Sequence, residues 1–224
     1  MRGREVIVRN IANVISLLGV LAIGVLFLDD GYQYILPLII VNNVMDDLDG
    51  IVAARLNIKS EYGAALDNVC DAVAHTVFVL VVGMQYGWVC GAFAIAASIA
   101  ILIRIASRLV PGATLGVGSP TNELIRHIFF VLLLSKFFSF DAESALLTVF
   151  ALHAVSLLLP YRMPGLLRSL AKSDISIGMI NVALVVAWLY PYAAHVIALA
   201  FGSTYLYGFV FGSLASFKAQ SSSA

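Results

Sequence analysis

Charge is what this 224-residue chain has least of: 12% of its residues are Asp, Glu, Lys or Arg, against roughly 25% in an ordinary soluble domain, while 61% are hydrophobic. A soluble core of this size must cover itself with polar side chains. Long stretches here hold none, which excludes a water-soluble globule and leaves lipid as the partner of the missing polar surface. Net charge is lacking as well, with 13 Lys and Arg against 13 Asp and Glu, so neither attraction to nucleic acid nor an acidic tail is indicated. Cysteine is nearly absent. Cys70 and Cys90 both lie in apolar segments without CxxC or Cys/His spacing, which argues against a disulfide framework or a zinc site and predicts two buried thiols. The first apolar run follows Arg2, Arg4 and Arg9 and has no small-residue cleavage site behind it, so a retained first span is expected rather than a signal peptide.

What is present is a succession of apolar runs broken by charged or Gly/Pro-rich turns, at residues 11–28, 33–55, 63–86, 88–109, 123–139, 143–159, 175–190 and 193–216. Each is near the roughly 20 residues that a helix needs to cross the hydrocarbon, with the sixth and seventh short. The expectation is an all-α polytopic membrane bundle of about eight transmembrane helices, with a range of six to eight. It forms a single domain over residues 1–217, followed by a polar tail over 218–224 expected to be disordered. A short juxtamembrane helix is expected ahead of the first span, where Val6, Ile7 and Val8 sit among charges; a frayed tail is the alternative for this segment. With the N-terminus inside, every Lys and Arg except Lys136 falls at or near a cytoplasmic end, which predicts both termini on the cytoplasmic side.

Carboxylates inside spans are costly, roughly 2.5–3.5 kcal/mol each for a central Asp, and mark ion or substrate sites. Asp46, Asp47 and Asp49 come near the end of the second span, and Asp67 and Asp71 near the start of the third, joined by a short basic loop holding Arg55 and Lys59. At about 1.5 Å per residue both groups sit at similar depth, so two antiparallel neighbours bring them together. Asp46, Asp49 and Ala53 share one helical face through i, i+3, i+7 spacing, and Asp67 and Asp71 share another through i, i+4. Four converging carboxylates cannot all stay ionised without a compensating cation, and oxygen-only ligands point to Mg²⁺, Mn²⁺ or Ca²⁺, as one ion or a close pair. Gly50 and Gly63 flank the cluster and remove side chains where a ligand or a neighbouring backbone approaches, although for the glycines taken alone helix packing through small residues is the favoured account.

The run from Asp46 to Arg55, continuing through Gly63 to Asp67 and Asp71, resembles the D-x2-D-G-x2-A-R-x8-G-x3-D-x3-D signature of the CDP-alcohol phosphotransferase family, with every Asp and both glycines at the family spacing. One position departs: Ala54 stands where the family has Arg, and Arg55 follows one residue later, about 100° further around an ideal helix. The resemblance implies displacement of CMP from a CDP-linked lipid, such as CDP-diacylglycerol, by a small polar alcohol in phospholipid biosynthesis. It implies a Mg²⁺ or Mn²⁺ centre, of two ions, on Asp46, Asp49, Asp67 and Asp71, with Asp71 also the general base. It further implies a nucleotide site at Asp49, Gly50, Ala53, Arg55 and Gly63, a cytoplasmic active site, and a homodimer. Leu66 to Val73, reading LDNVCDAV, is similar to the corresponding run of phosphatidylserine synthases and also to that of phosphatidylcholine synthases. Val155 to Pro164, reading VSLLLPYRMP, resembles a segment of the serine enzymes, which slightly favours serine over inositol, glycerol 3-phosphate or choline; the Phe-Gly pair of the serine enzymes is replaced by His75-Thr76-Val77-Phe78.

Arg104, Arg108 and Arg162 are candidates for binding a phosphate or an acceptor carboxylate, as is Arg126, with topology and headgroup anchoring as the plain alternative. The Gly-rich stretch from Pro111 to Pro120 is either a lid or a simple connection. His75, one turn past Asp71, suits either an orienting role or plain packing. His127, His153 and His195 show no interpretable spacing. Gly83, Gly87 and Gly91, and again Gly208 and Gly212, predict close helix contacts, with a turn near Gly87. Two other functions fit the composition: a cation- or proton-coupled transporter, against which stand the one-sided placement of the carboxylates and the lack of a repeat of the Asp segment, and an inactive family member.

Overall fold

The computed structural model describes residues 2–110, 112, 115–161, 163 and 174–221. Among these there are eight α-helices and no strand: α1 (Arg2–Ala22), α2 (Ile35–Arg55), α3 (Glu61–Gln85), α4 (Gly87–Leu109), α5 (Thr121–Phe138), α6 (Ala142–Leu157), α7 (Asp174–Leu189) and α8 (Pro191–Ser221). Each apolar run read from the sequence corresponds to one helix. Asn10–Phe27, Glu61–Gln85, Gly87–Leu109 and Pro191–Ser216 are long and apolar enough to cross a membrane. Ala142–Leu157 and Ile177–Leu189 are apolar but shorter. Helices α2 and α5 carry part of the site, Asp46, Asp47 and Asp49 on α2 and Asn122, Glu123, Arg126 and His127 on α5.

Both chain ends differ from expectation. No separate juxtamembrane helix forms, since Arg2–Ala22 is one continuous helix that passes into a 3₁₀ turn at Ile23–Phe27. The polar stretch from Lys218 continues α8 to Ser221, because no Gly or Pro after Gly212 interrupts the helix. Residues 222–224 of the expected tail lie outside the described residues.

The core sits where α3, α4, α5 and α6 meet. Phe78, Val79 and Val82 interlock there with Ala94, Ala97 and Ile101, and with Leu124, Ile128, Phe129, Leu146 and Phe150. Large apolar side chains such as Leu21, Phe27, Trp88, Tyr192 and Leu199 are instead exposed around the outside, as a lipid-facing surface requires. Cys70 and Cys90 are free and buried. At the turn into α6, the exposed Asp141 accepts from the Ser144 hydroxyl and from the Ser144 and Glu143 amides, which hold its carboxyl below the usual range.

Glycine sets the α3–α4 contact. Gly87 adopts φ +90° and turns the chain between the two helices, where side chains are strained. A Cβ on Gly83 would stand 2.2 Å from the Ala94 Cβ and 3.2 Å from the Cys90 carbonyl oxygen, so the helices approach as closely as their backbones allow. Gly83→Ala is expected to lower the unfolding temperature of the detergent-purified protein through a cost of about 1–3 kcal/mol. Gly24→Ala, with nothing within 4 Å of the new methyl, should leave it unchanged.

Candidate active site

The site forms where the second half of α2 meets the first half of α3. Asn57, in left-handed conformation at φ 53°, ends α2, and the Ile58 amide turns back to donate to the Ala53 carbonyl at 3.0 Å. Ser60 then caps α3, its hydroxyl accepting from the Gly63 amide at 3.0 Å. This tight reversal sets α3 antiparallel beside α2 and brings the carboxylates level.

Oxygens of Asp46, Asp67 and Asp71 all lie within 4.8 Å of one another. Asp49 is not part of this close trio. Its buried carboxylate accepts a hydrogen bond from the Ser16 hydroxyl of α1, a partner that spacing within α2 and α3 does not reveal. Asp46 accepts from Asn122 Nδ2 of α5 at 2.7 Å. Asp47 faces another way and accepts from Asn181 Nδ2 of α7 at 2.7 Å and from Asn43 Nδ2 at 3.2 Å, while Asn43 Oδ1 accepts from Arg126 Nε at 3.1 Å. The named hydrogen-bond donors to Asp46, Asp47 and Asp49 are neutral groups, while the cations Arg126 and Arg108 act through space on Asp47 and on Asp67 and Asp71. Three anionic oxygens this close, offering hard donors only, fit a divalent cation of the Mg²⁺ or Mn²⁺ type.

Two cavities border the cluster, each of about 240 Å³. The first is lined by Ser16, Asp49, Gly50, Ala53, Lys59, Gly63 and Asp67 among others, so most of the sequence-derived nucleotide candidates share one space. The two glycines do different things there. Gly50 faces open space, whereas a Cβ on Gly63 would press at 3.1 Å on Ser60 Oγ and 3.2 Å on Asn13 Oδ1. Arg55, exposed at the last position of α2, does not line this cavity, and Lys59, expected only as a loop cation, does. The second cavity is lined by Asp46, Asp47, Pro120, Asn122, Glu123, Arg126, His127, Ile177, Ile180, Phe201 and Thr204.

The arginine candidates separate. Arg104 is buried and donates from Nη1 to the Gly116 carbonyl at 2.8 Å, so it holds a loop and lines neither cavity. Arg108 donates to Asn68 Oδ1 at 2.8 Å, one residue past Asp67. Arg162 lies outside the described residues. The described part of the 111–120 segment is fastened to the end of α6, with Val117 N donating to Leu159 O and Ser119 N to Ser156 O, both at 3.0 Å. A Cβ on Gly118 would stand 1.8 Å from the Ser156 oxygen, so this segment is a clamped connection. His75 is buried, its Nε2 3.9 Å from Asp71 Oδ1, beyond hydrogen-bond reach. His127 and His153, uninterpretable by spacing, pair at 3.0 Å, and the Tyr205 ring stacks on His153 at 4.4 Å.

A membrane bundle with clustered carboxylates between two cavities defines a class of intramembrane polar sites. The model of the family described as CDP-alcohol phosphatidyltransferase matches residues 9–206, nearly the whole bundle, and the chain belongs to that family. No curated protein matches it. It is accordingly a transferase of substituted phosphate groups acting in phospholipid biosynthesis, from a family that uses divalent metal.

Mn²⁺ added to the purified protein is expected to raise its unfolding temperature, reaching about 2.7 kcal/mol of stabilisation at a hundredfold excess over the dissociation constant. Asp67→Asn should remove that shift; an equal shift in the variant takes Asp67 out of the metal site.

Proposed function

We propose that the protein transfers a phosphatidyl group from a CDP-linked lipid such as CDP-diacylglycerol to the hydroxyl of a small polar alcohol, releasing CMP, with serine the favoured acceptor. The observation that carries this reading is the trio Asp46, Asp67 and Asp71 at the edge of a cavity that gathers Asp49, Gly50, Ala53 and Gly63. Asp46, Asp67 and Asp71 hold Mg²⁺ or Mn²⁺, as one ion or two, with Asp49 completing the set. When bound, the metal neutralises the diphosphate and the charge that develops on it. The nucleotide occupies the first cavity, where the bare Gly50 surface admits a close approach and Lys59 supplies positive charge to the phosphates.

Asp71 takes the proton of the acceptor hydroxyl as its oxygen attacks the lipid-bearing phosphorus. The new P–O bond forms as the bond to the CMP oxygen breaks, and CMP leaves with that electron pair. The neutral donors Ser16 and Asn122 keep Asp49 and Asp46 oriented through the exchange. The basic bias of the loops supports a cytoplasmic active site, and the family resemblance supports a homodimer.

CMP release by the purified protein, with CDP-diacylglycerol and Mn²⁺ or Mg²⁺ and with serine, inositol, glycerol 3-phosphate and choline in parallel, tests the reaction. Asp71→Asn should abolish release while the variant remains folded in the membrane; full activity removes Asp71 as the base. Lys59→Ala should raise the KM for the CDP-lipid roughly tenfold, the loss of one charge-assisted contact, with Arg55→Ala having the smaller effect. The reverse order assigns the phosphate contact to Arg55.

A further inference from the structure

Asp46 accepts from Asn122, Asp47 from Asn181 and Asp49 from Ser16, whereas among the described residues no amide or hydroxyl donates to the side chain of Asp71. Yet Asp71 has the most to do. A carboxylate that both ligates a metal and takes a proton must present oxygens to each, and the soft torsion about its Cβ–Cγ bond lets them exchange. We propose that His75 is the positioning residue for this base: its Nε2–H closes on Asp71 Oδ1 when the site is loaded and fixes the carboxylate plane. This rests on the reading of Asp71 as the base given above.

Position comes first. His75 follows Asp71 by one turn of α3, which puts the two side chains on one helical face. Its Nε2 stands 3.9 Å from Asp71 Oδ1. Closure by about 1 Å, a rotation within one rotamer well, makes that contact a hydrogen bond. Hydrogen bonds to catalytic groups are often long in the free enzyme and tighten in the complex with substrate.

The protonation pattern of the ring comes second. A neutral imidazole carries one N–H and one bare nitrogen. His75 Nδ1 is buried and has no hydrogen-bond partner among the described residues, so a proton there is an orphaned donor. A proton on Nε2 instead faces a carboxylate. Burial therefore selects the tautomer that points at Asp71, and His75 becomes a neutral donor of the same kind as Ser16, Asn122 and Asn181.

The residue type comes third. His75 is 2% exposed, on the stretch of α3 that also sends Phe78, Val79 and Val82 into the core. A side chain needed there only to fill space is apolar, because each buried ring nitrogen gives up water without a partner in return. The proton of the acceptor hydroxyl goes to Asp71, and His75 stays neutral before and after the transfer.

The test replaces His75 by Gln, whose amide nitrogen reaches about as far as Nε2, by Asn, whose amide falls at the Nδ1 position, and by Phe, which fills the space without a donor. CMP release is followed with CDP-diacylglycerol, Mn²⁺ and serine, inositol, glycerol 3-phosphate or choline. His75→Asn and His75→Phe should lower kcat by roughly tenfold to a hundredfold, with His75→Gln within about threefold of the wild type. The KM for the CDP-lipid and the rise in unfolding temperature produced by Mn²⁺ should not move in any of the three. A fully active Phe variant overturns the inference, as do equal losses in all three variants, which assign His75 to packing. Loss of the Mn²⁺ shift overturns it by placing His75 in the metal site. Full activity of Asp71→Asn removes the base on which the inference rests and leaves phosphatidyl transfer standing, whereas no CMP release by the wild type with any acceptor overturns both readings.

Discussion

Mutual repulsion among Asp46, Asp67 and Asp71 is the constraint around which this molecule is arranged. Three like charges at that distance favour separation, and the bundle opposes it by locking α2 and α3 together through the reversal at Asn57 and the Ser60 cap. The surrounding helices then supply neutral donors, Ser16 from α1, Asn122 from α5 and Asn181 from α7, none of which cancels the negative potential. These neutral amides and hydroxyls fix the direction of the carboxylates.

The polar residues of the site come from α2, α5 and the first half of α3, while α3, α4 and α8 each keep a stretch apolar enough to cross a membrane. The tight α3–α4 contact through Gly83 and the core around Phe78, Phe129 and Phe150 form a rigid floor. Above it, the site is assembled from the helices whose polar faces the bundle encloses. The segment before α5 is fastened to the end of α6, so Asn122, Glu123 and Arg126 begin from an anchored point.

Several features were legible because they are local. The helix positions follow from runs of apolar residues, and the alignment of Asp67 with Asp71 follows from helical period alone. The motif spacing led to the family that the whole bundle matches. Features that depend on which helix packs beside which were not legible. Asp49 meets Ser16, thirty-three residues earlier in the chain, and Asp47 meets Asn181, far later, and no periodicity links those positions. Arg104, at a helix end like any headgroup anchor, turns inward to a loop carbonyl. The His127–His153 pair joins two different helices, so its spacing carries no signal.

The sequence by itself determined that the chain is a membrane bundle, that its costly carboxylates gather where α2 meets α3, and that the family signature lies there, since hydropathy and helical period act over a few residues. Only the tertiary structure decided that three of those carboxylates form a close trio while Asp49 turns to α1, that Lys59 rather than Arg55 lines the first cavity, and that a second cavity of mixed charge borders the cluster at Asp46. Those outcomes depend on how distant helices pack against one another, a free energy summed over the whole bundle that no single segment contains.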